Sequence, residues 1–204
     1  MAIRITHETA CSITDDHARQ MQAVGLDAWS QALERRSKSQ IRGFYNPDDV
    51  GHVTDVGRRY REVAEHGVVS LALDDETDNQ VVGFLLAQDE VSGNIAARAL
   101  KRMRYPDKIY AWLMQINVAP EYQGQGIGKR LLKTGLETFR PEQIPTAYIF
   151  DENKLVWDAA RRLGFDLSPP EQEPREMDYF GKAHPPVMQY RFAADSVEAV
   201  LEKL

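Results

Sequence analysis

The chain has 204 residues, 43% hydrophobic and 27% charged, the profile of a soluble globular protein; at ~150 residues per domain it holds one large domain with attachments. Lys and Arg number 25 against 31 Asp and Glu, and the formal net charge of −6 argues against a generic phosphate-coating nucleic-acid binder. The single cysteine, Cys11, excludes an internal disulfide and any multi-cysteine metal site, and the longest apolar run, 109–114, is far short of the ~18 residues a membrane span requires.

The five histidines, at 7, 17, 52, 66 and 184, lack metal-ligand spacing, so no metal is expected. The opening MAIRITHETA carries charge and no apolar core, so the expectation is a cytoplasmic protein without a signal peptide. Residues 2–6 have the β-branched content of a short strand. Thr14-Asp15-Asp16 can cap a helix with Met21, Ala28, Trp29, Ala32 and Leu33 among its apolar positions; Gly25 leaves open one kinked helix or two short ones. Asn46-Pro47-Asp48-Asp49 is a stronger start signal, with proline near the first turn and carboxylates beside the positive end of a helix dipole. Val53, Val56, Tyr60, Val63 and Ala64 then share one helical face, and His66-Gly67 stops it. Residues 68–73 and 81–88 read as strands joined by the turn sequence DDETDN (74–79), an antiparallel hairpin.

Residues 92–108 gather Arg98, Lys101, Arg102, Arg104 and Lys108, on a short helix if Pro106 closes one. Residues 109–118 (IYAWLMQINV) are apolar on both alternating faces, which predicts a central strand covered on both sides. A helix over 126–139 places Ile127, Leu131, Leu132, Leu136 and Phe139 on one face; 146–150 is a buried strand. Residues 153–163 form a helix stopped by Gly164, and 165–167 and 187–193 are the last strands. Between those strands lies a long connection with Pro169, Pro170, Pro174, Pro185 and Pro186, a length that usually marks a functional or a disordered loop. Asp195 is the expected cap of a terminal helix carrying Val197, Val200, Leu201 and Leu204. The element order predicts one mixed α+β domain with a small C-terminal helix.

The chemistry-bearing stretch is INVAPEYQGQGIGKR, residues 116–130. A buried strand ends, a proline turn follows, and three alternating glycines open an amphipathic helix. Glycines there allow close backbone approach and leave helix N–H groups at the positive end of the dipole, an anion site suited to phosphate or diphosphate. A Walker loop fails at Gln123 and Arg130, and the Rossmann fingerprint fails at Lys129 or Leu131, depending on its start.

The spacing Gln/Arg-x-x-Gly-x-Gly/Ala is met by Gln123, Gly126 and Gly128, and it resembles the acetyl-CoA signature of the GNAT N-acetyltransferase superfamily. NKLVWDAARRLGF, 153–165, is similar to that superfamily's second motif, in which an asparagine opens a helix ending in Leu-Gly-Phe. The resemblance implies a mostly antiparallel central sheet flanked by helices over 1–193, with 194–204 a helix packed on the same domain. It implies acetyl-CoA as acyl donor and a primary amine, of a small molecule or peptide, as acceptor. By the same resemblance, the backbone of Ile116 and Val118 pairs with the pantetheine amides. Gln123, Gly124, Gln125, Gly126, Ile127, Gly128 and Lys129 surround the diphosphate, and Asn153 touches the pantetheine arm. Lys129 and Arg130 either add charge beside the phosphates or form a solvated helix face. The basic group at 98–108 either reaches the 3′-phosphate or is solvated surface.

Where many relatives carry a tyrosine that protonates the departing thiolate, this chain has Ala160; where relatives supply a glutamate base, it has Trp112 and Tyr148. A thiol of pKa ~8.5 leaves as thiolate at pH 7 for only about 2 kcal/mol, so the missing acid is tolerable. Deprotonating a lysine of pKa ~10.4 at pH 7 costs about 4.6 kcal/mol, an α-amino group near ~7.8 about 1 kcal/mol. Alignment alone supplies ~7–11 kcal/mol. The vacancies therefore lean toward a low-pKa amine, or toward a base elsewhere: Glu90, Asp89 and Tyr148 are the candidates, against readings as a solvated strand end and a core tyrosine.

Glu171, Glu173, Glu176 and Asp178 make the proline-rich connection acidic, either a lid attracting a cationic amine or a solvated loop. Tyr179, Phe180 and His184 line the same pocket or pin the loop. A non-catalytic acyl-CoA-binding module is the alternative to an enzyme, and a nucleotide-binding interaction domain a weaker third reading; no membrane partner is expected.

Overall fold

The computed structural model describes residues 2–33, 38–89, 110–150, 152–167, 175–177 and 187–204. Strands β1 (Ile3–Glu8), β2 (Gly67–Asp74), β3 (Gln80–Asp89), β4 (Tyr110–Val118), β5 (Ile144–Phe150), β6 (Asp166–Leu167), β7 (Arg175–Met177) and β8 (Val187–Ala193) form one sheet. Its order is β1-β2-β3-β4-β5-β8-β6, with β7 also against β8, and the β4–β5 pair is the parallel step in an otherwise antiparallel sheet. The helices are α1 (Asp15–Ala32), α2 (Lys38–Ile41), α3 (Val50–His66), α4 (Ile127–Leu136), α5 (Lys154–Arg162) and α6 (Val197–Leu201). Among the described residues no helix is long and apolar enough to cross a membrane.

The sheet separates two cores. On one side Met21 and Leu33 of the α1 region, Val53 and Tyr60 of α3, and Phe84 and Leu86 of β3 pack together. On the other, Ile127, Leu131 and Leu136 of α4 meet Leu85, Phe192 and the α6 residues Val197 and Val200. Emptying a fully buried position such as Leu131 would cost ~2–5 kcal/mol. Caps set the helix starts: Thr14 Oγ1 accepts from His17 N–H, and Asp49 Oδ1 accepts from His52 N–H, each at 3.0 Å.

Four expectations change. Helix α1 runs unbroken through Gly25, because that glycine serves packing: a Cβ there would collide with the buried Tyr45 ring. Helix α4 stops at Leu136, where Thr138 Oγ1 donates to Gly135 O and closes the end three residues early. The cap of α6 is Ser196, whose hydroxyl accepts from Ala199 N–H, in place of Asp195. The proline-rich connection contributes β7, paired to β8.

The fifth change bears on function. Leu86 faces Gln115 and Ala87 faces Leu113, so Met114 is an extra residue, a β-bulge in β4. Pairing of β4 with β5 runs from Tyr110↔Ile144 to Leu113↔Ala147 and ends there. Beyond it Met114 and Ile116 are each 37% exposed. The strand expected to be covered on both faces is covered only in its first half.

Candidate active site

The carboxyl end of β4 leads through Ala119 into a single 3-10 turn, Pro120–Tyr122, and then into the glycine loop. Gln123 donates from Nε2 to Val118 O at 3.0 Å, folding the loop back on the strand end; Gln125 Nε2 reaches Glu121 O at 3.3 Å. Gly124 and Gly126 have φ of 74° and 76°, left-handed conformations that a side chain would strain. A Cβ at either would meet nothing within 4 Å, and one at Gly128 would make only an ordinary 3.7 Å contact with Val118 Cγ2. Among the described residues, none therefore occupies the space in front of these glycines.

Gly126 is the cap of α4, and the first bond of its ladder is Arg130 N–H to Gly126 O. The amides of Ile127, Gly128 and Lys129 precede that ladder and lie at the positive end of the dipole. The Ile127 side chain is 2% exposed and anchored in the second core, so only its backbone can serve the loop's outer face. Lys129 is exposed. Arg130 donates from Nη2 to Ile3 O at 2.7 Å, a commitment to β1 that neither sequence reading of this residue foresaw.

Asn153 caps α5, its Oδ1 accepting from Val156 N–H at 3.3 Å, which leaves the carboxamide NH2 as the group able to donate elsewhere. Loop, open half of β4 and Asn153 thus come from consecutive strand–helix units, brought together because β4 and β5 are parallel.

The acid and base positions are apolar or aromatic. Ala160 is buried in the second core. Trp112 and Tyr148 stack on each other, with centroids 5.6 Å apart and planes at 11°, beside Tyr110 and Ile144. Across from Tyr148, Arg191 of β8 places its guanidinium 5.2 Å from the Tyr110 ring. Three side-chain atoms of β4, Trp112 Nε1, Gln115 Oε1 and Asn117 Nδ2, are buried without a hydrogen-bond partner among the described residues. Asp89 ends β3 opposite Ala111. Glu90, the basic group at 98–108, Glu171, Glu173, Asp178, Tyr179, Phe180 and His184 lie outside the described residues, as does the side chain of Glu176. Cys11 is exposed, and among the described residues no three His, Cys, Asp or Glu are grouped to hold a metal.

Sequence reasoning missed Asp74, taken only as part of a turn. It is 2% exposed, and its Oδ2 accepts from Tyr122 Oη at 2.9 Å. That carboxylate pushes the Tyr122 hydroxyl above the usual phenol range, and desolvation adds in the same direction.

Solved structures with this fold include the PaiA N-acetyltransferase of Thermoplasma acidophilum in complex with coenzyme A (15% identity, 93% of this chain and 98% of that one, TM-score 0.53). The ribosomal-protein-S18-alanine N-acetyltransferase of Escherichia coli aligns at 12% identity over 95% of this chain and 93% of its own (TM-score 0.52). A chain of the NatC complex bound to Gag peptide and CoA aligns at 12% identity over 94% and 98% (TM-score 0.53). The acetyltransferase (GNAT) family profile matches residues 32–165. That match spans more than half of the chain, and the protein belongs to the GNAT acetyltransferase family.

Proposed function

We propose that the protein is an N-acyltransferase that moves an acetyl group from acetyl-CoA directly to a primary amine of a small molecule or peptide. The observation that carries this reading is the glycine loop at the amino end of α4, with its clear outer face, beside the half of β4 that pairs with β3 but not with β5. The amides of Gly124 to Lys129 would hold the diphosphate, and the backbone of Ile116 and Val118 the pantetheine. The coenzyme A bound by the Thermoplasma acidophilum protein supports this donor.

The reaction needs a neutral amine to attack the thioester carbon and a thiolate to leave. The positions usual for the acid and for the carboxylate base hold Ala160, Trp112 and Tyr148, so alignment of the two substrates carries the catalysis and the acceptor amine brings its own low pKa. The name of one similar structure, a ribosomal-protein-S18-alanine N-acetyltransferase, points the same way, and the Gag peptide bound in another supports keeping peptides in the acceptor class.

An amine panel that includes free amino acids, polyamines and peptides with free amino termini, with acetyl-CoA and detection of released thiol, tests the proposal. Thiol release dependent on one amine class, with a mono-acetylated product by mass, is expected. Tight CoA binding by calorimetry with no turnover across the panel would instead establish the alternative, a non-catalytic acyl-CoA-binding module, which Ala160, Trp112 and Tyr148 favour.

A further inference from the structure

We infer that Tyr122 is a positioning residue for donor binding: its hydrogen bond to buried Asp74 fixes the upstream end of the glycine loop in the shape that receives a diphosphate. The inference rests on the reading of the loop as a CoA site.

A segment with glycines at 124 and 126 has unusual backbone freedom, and ordering it on binding would cost affinity. Both ends of this segment are held. Upstream, the Tyr122 ring packs against both cores at once, and its hydroxyl donates to Asp74 Oδ2. The acceptor is itself immobilised: Asp74 Oδ1 takes Glu76 N–H at 3.0 Å, and its backbone carbonyl takes Asn79 N–H at 3.1 Å. Downstream, Arg130 is tied to Ile3 O. Strand β1 is in turn fastened to the same β2–β3 turn, by Arg4 Nε to Asp75 Oδ1 at 3.1 Å, Arg4 Nη2 to Asn79 Oδ1 at 2.6 Å and Asp75 N–H to Ala2 O at 3.1 Å. Two pins on one rigid corner bracket residues 123–129. The Tyr122 hydroxyl is bound to Asp74, so its effect passes through the loop backbone.

The test compares CoA with pantetheine, which has neither diphosphate nor nucleotide, by calorimetry on the full chain, with thermal melts beside each variant. Tyr122→Phe should weaken CoA binding about tenfold and leave pantetheine binding unchanged, because the pantetheine arm reads β4. Asp74→Ala should match it, whereas Asp74→Asn, whose oxygen can keep Glu76 N–H while its NH2 donates to the Tyr122 oxygen, should bind CoA within about threefold of wild type. The Tyr122→Phe/Asp74→Ala double variant should be no weaker than either single one, as for one shared interaction. If wild type binds CoA and Tyr122→Phe binds it equally well, or loses CoA and pantetheine in the same proportion, the positioning role is wrong and the tether is merely structural. Should Tyr122→Phe not fold, CoA affinity of Asp74→Asn falling as far as that of Asp74→Ala would be equally damaging. A wild-type protein that does not bind CoA overturns the functional reading, and this inference with it.

Discussion

The proposed donor side and the proposed acceptor side of this molecule are built from different materials. On the proposed donor side the working groups would be backbone: amides of the glycine loop, the helix end of α4 and the half of β4 that β5 does not cover. Side chains there point away and brace, as Gln123 does on Val118 O and Arg130 on Ile3 O. On the other side the working groups in relatives are side chains, and here those positions hold a packed alanine and a Trp112–Tyr148 stack. A backbone site survives sequence drift provided its glycines and braces stay. A side-chain site can lose its acid and base while the fold and the donor loop remain, and the chemistry then falls to substrate alignment and the acceptor's own pKa.

The largest effect should come from attacking the donor side through its backbone. Gly126→Val would force a β-branched residue to φ 76° and fill the clear face, so CoA binding should fall by about a hundredfold or more by calorimetry, with ~1–3 kcal/mol of strain. Wild-type affinity in that variant would break the assignment of the loop. On the opposite side, Tyr148→Phe keeps the ring that stacks on Trp112 and removes only the hydroxyl. Turnover should stay within about twofold, whereas loss of a true general acid or base costs ~10²–10⁴. A drop of that size would show that the aromatic side carries catalysis after all.

A pH profile sharpens the same contrast. With no enzyme base, kcat/KM should climb about tenfold per pH unit until the acceptor itself is neutral, levelling near ~7.8 for an α-amino group or ~10.4 for a lysine. A plateau well below the acceptor's own pKa would reveal a base on the protein.

How far these regions could be read from the sequence follows the same division. Local rules with local partners were legible: the caps Thr14 and Asn153 and the glycine loop stand where the residue pattern puts them, while the start signal at 46–49 is realised one step late, with Asp49 as cap and Pro47 ahead of the helix instead of in its first turn. What failed depended on residues distant in the chain. Gly25 looks like a break until Tyr45 arrives against it, and the Met114 bulge exists only because β3 offers one residue fewer than β4. Arg130 reads as a phosphate ligand or a solvated charge until β1, from the other end of the chain, presents Ile3 O. Asp74 sits in a run of turn formers, and nothing near it announces a tyrosine from the glycine-loop segment.

Gly25 offers a control that should leave both sites alone. Gly25→Ala inserts a methyl into the Tyr45 ring, an overpacking that typically costs ~1–3 kcal/mol, read as a lower melting temperature. CoA affinity should be unchanged, because the strain lies in the α1–α3 core; a parallel loss would mean that this core and the loop are coupled.

The smallest expected signal is an alkaline titration. Burial pushes Tyr60 up, opposed in part by its hydrogen bond with Gln22, and the Asp74 hydrogen bond pushes Tyr122 up. A phenol whose folded value is raised above the unfolded ~10 contributes stability that is full below about pH 10 and is lost as pH passes the folded value. The Tyr122–Asp74 tether should therefore hold through the range in which an α-amino acceptor titrates, and there the pH profile above will report the acceptor and not the loop. In an ultraviolet titration of the native protein, Tyr60 and Tyr122 should ionise above the ordinary phenol value of ~10, and Tyr122→Phe should remove one of these late ionisations. If that variant deletes a phenol ionising at the ordinary value, the hydroxyl is free in solution, and the donor loop has lost the brace that distinguishes it from the aromatic side.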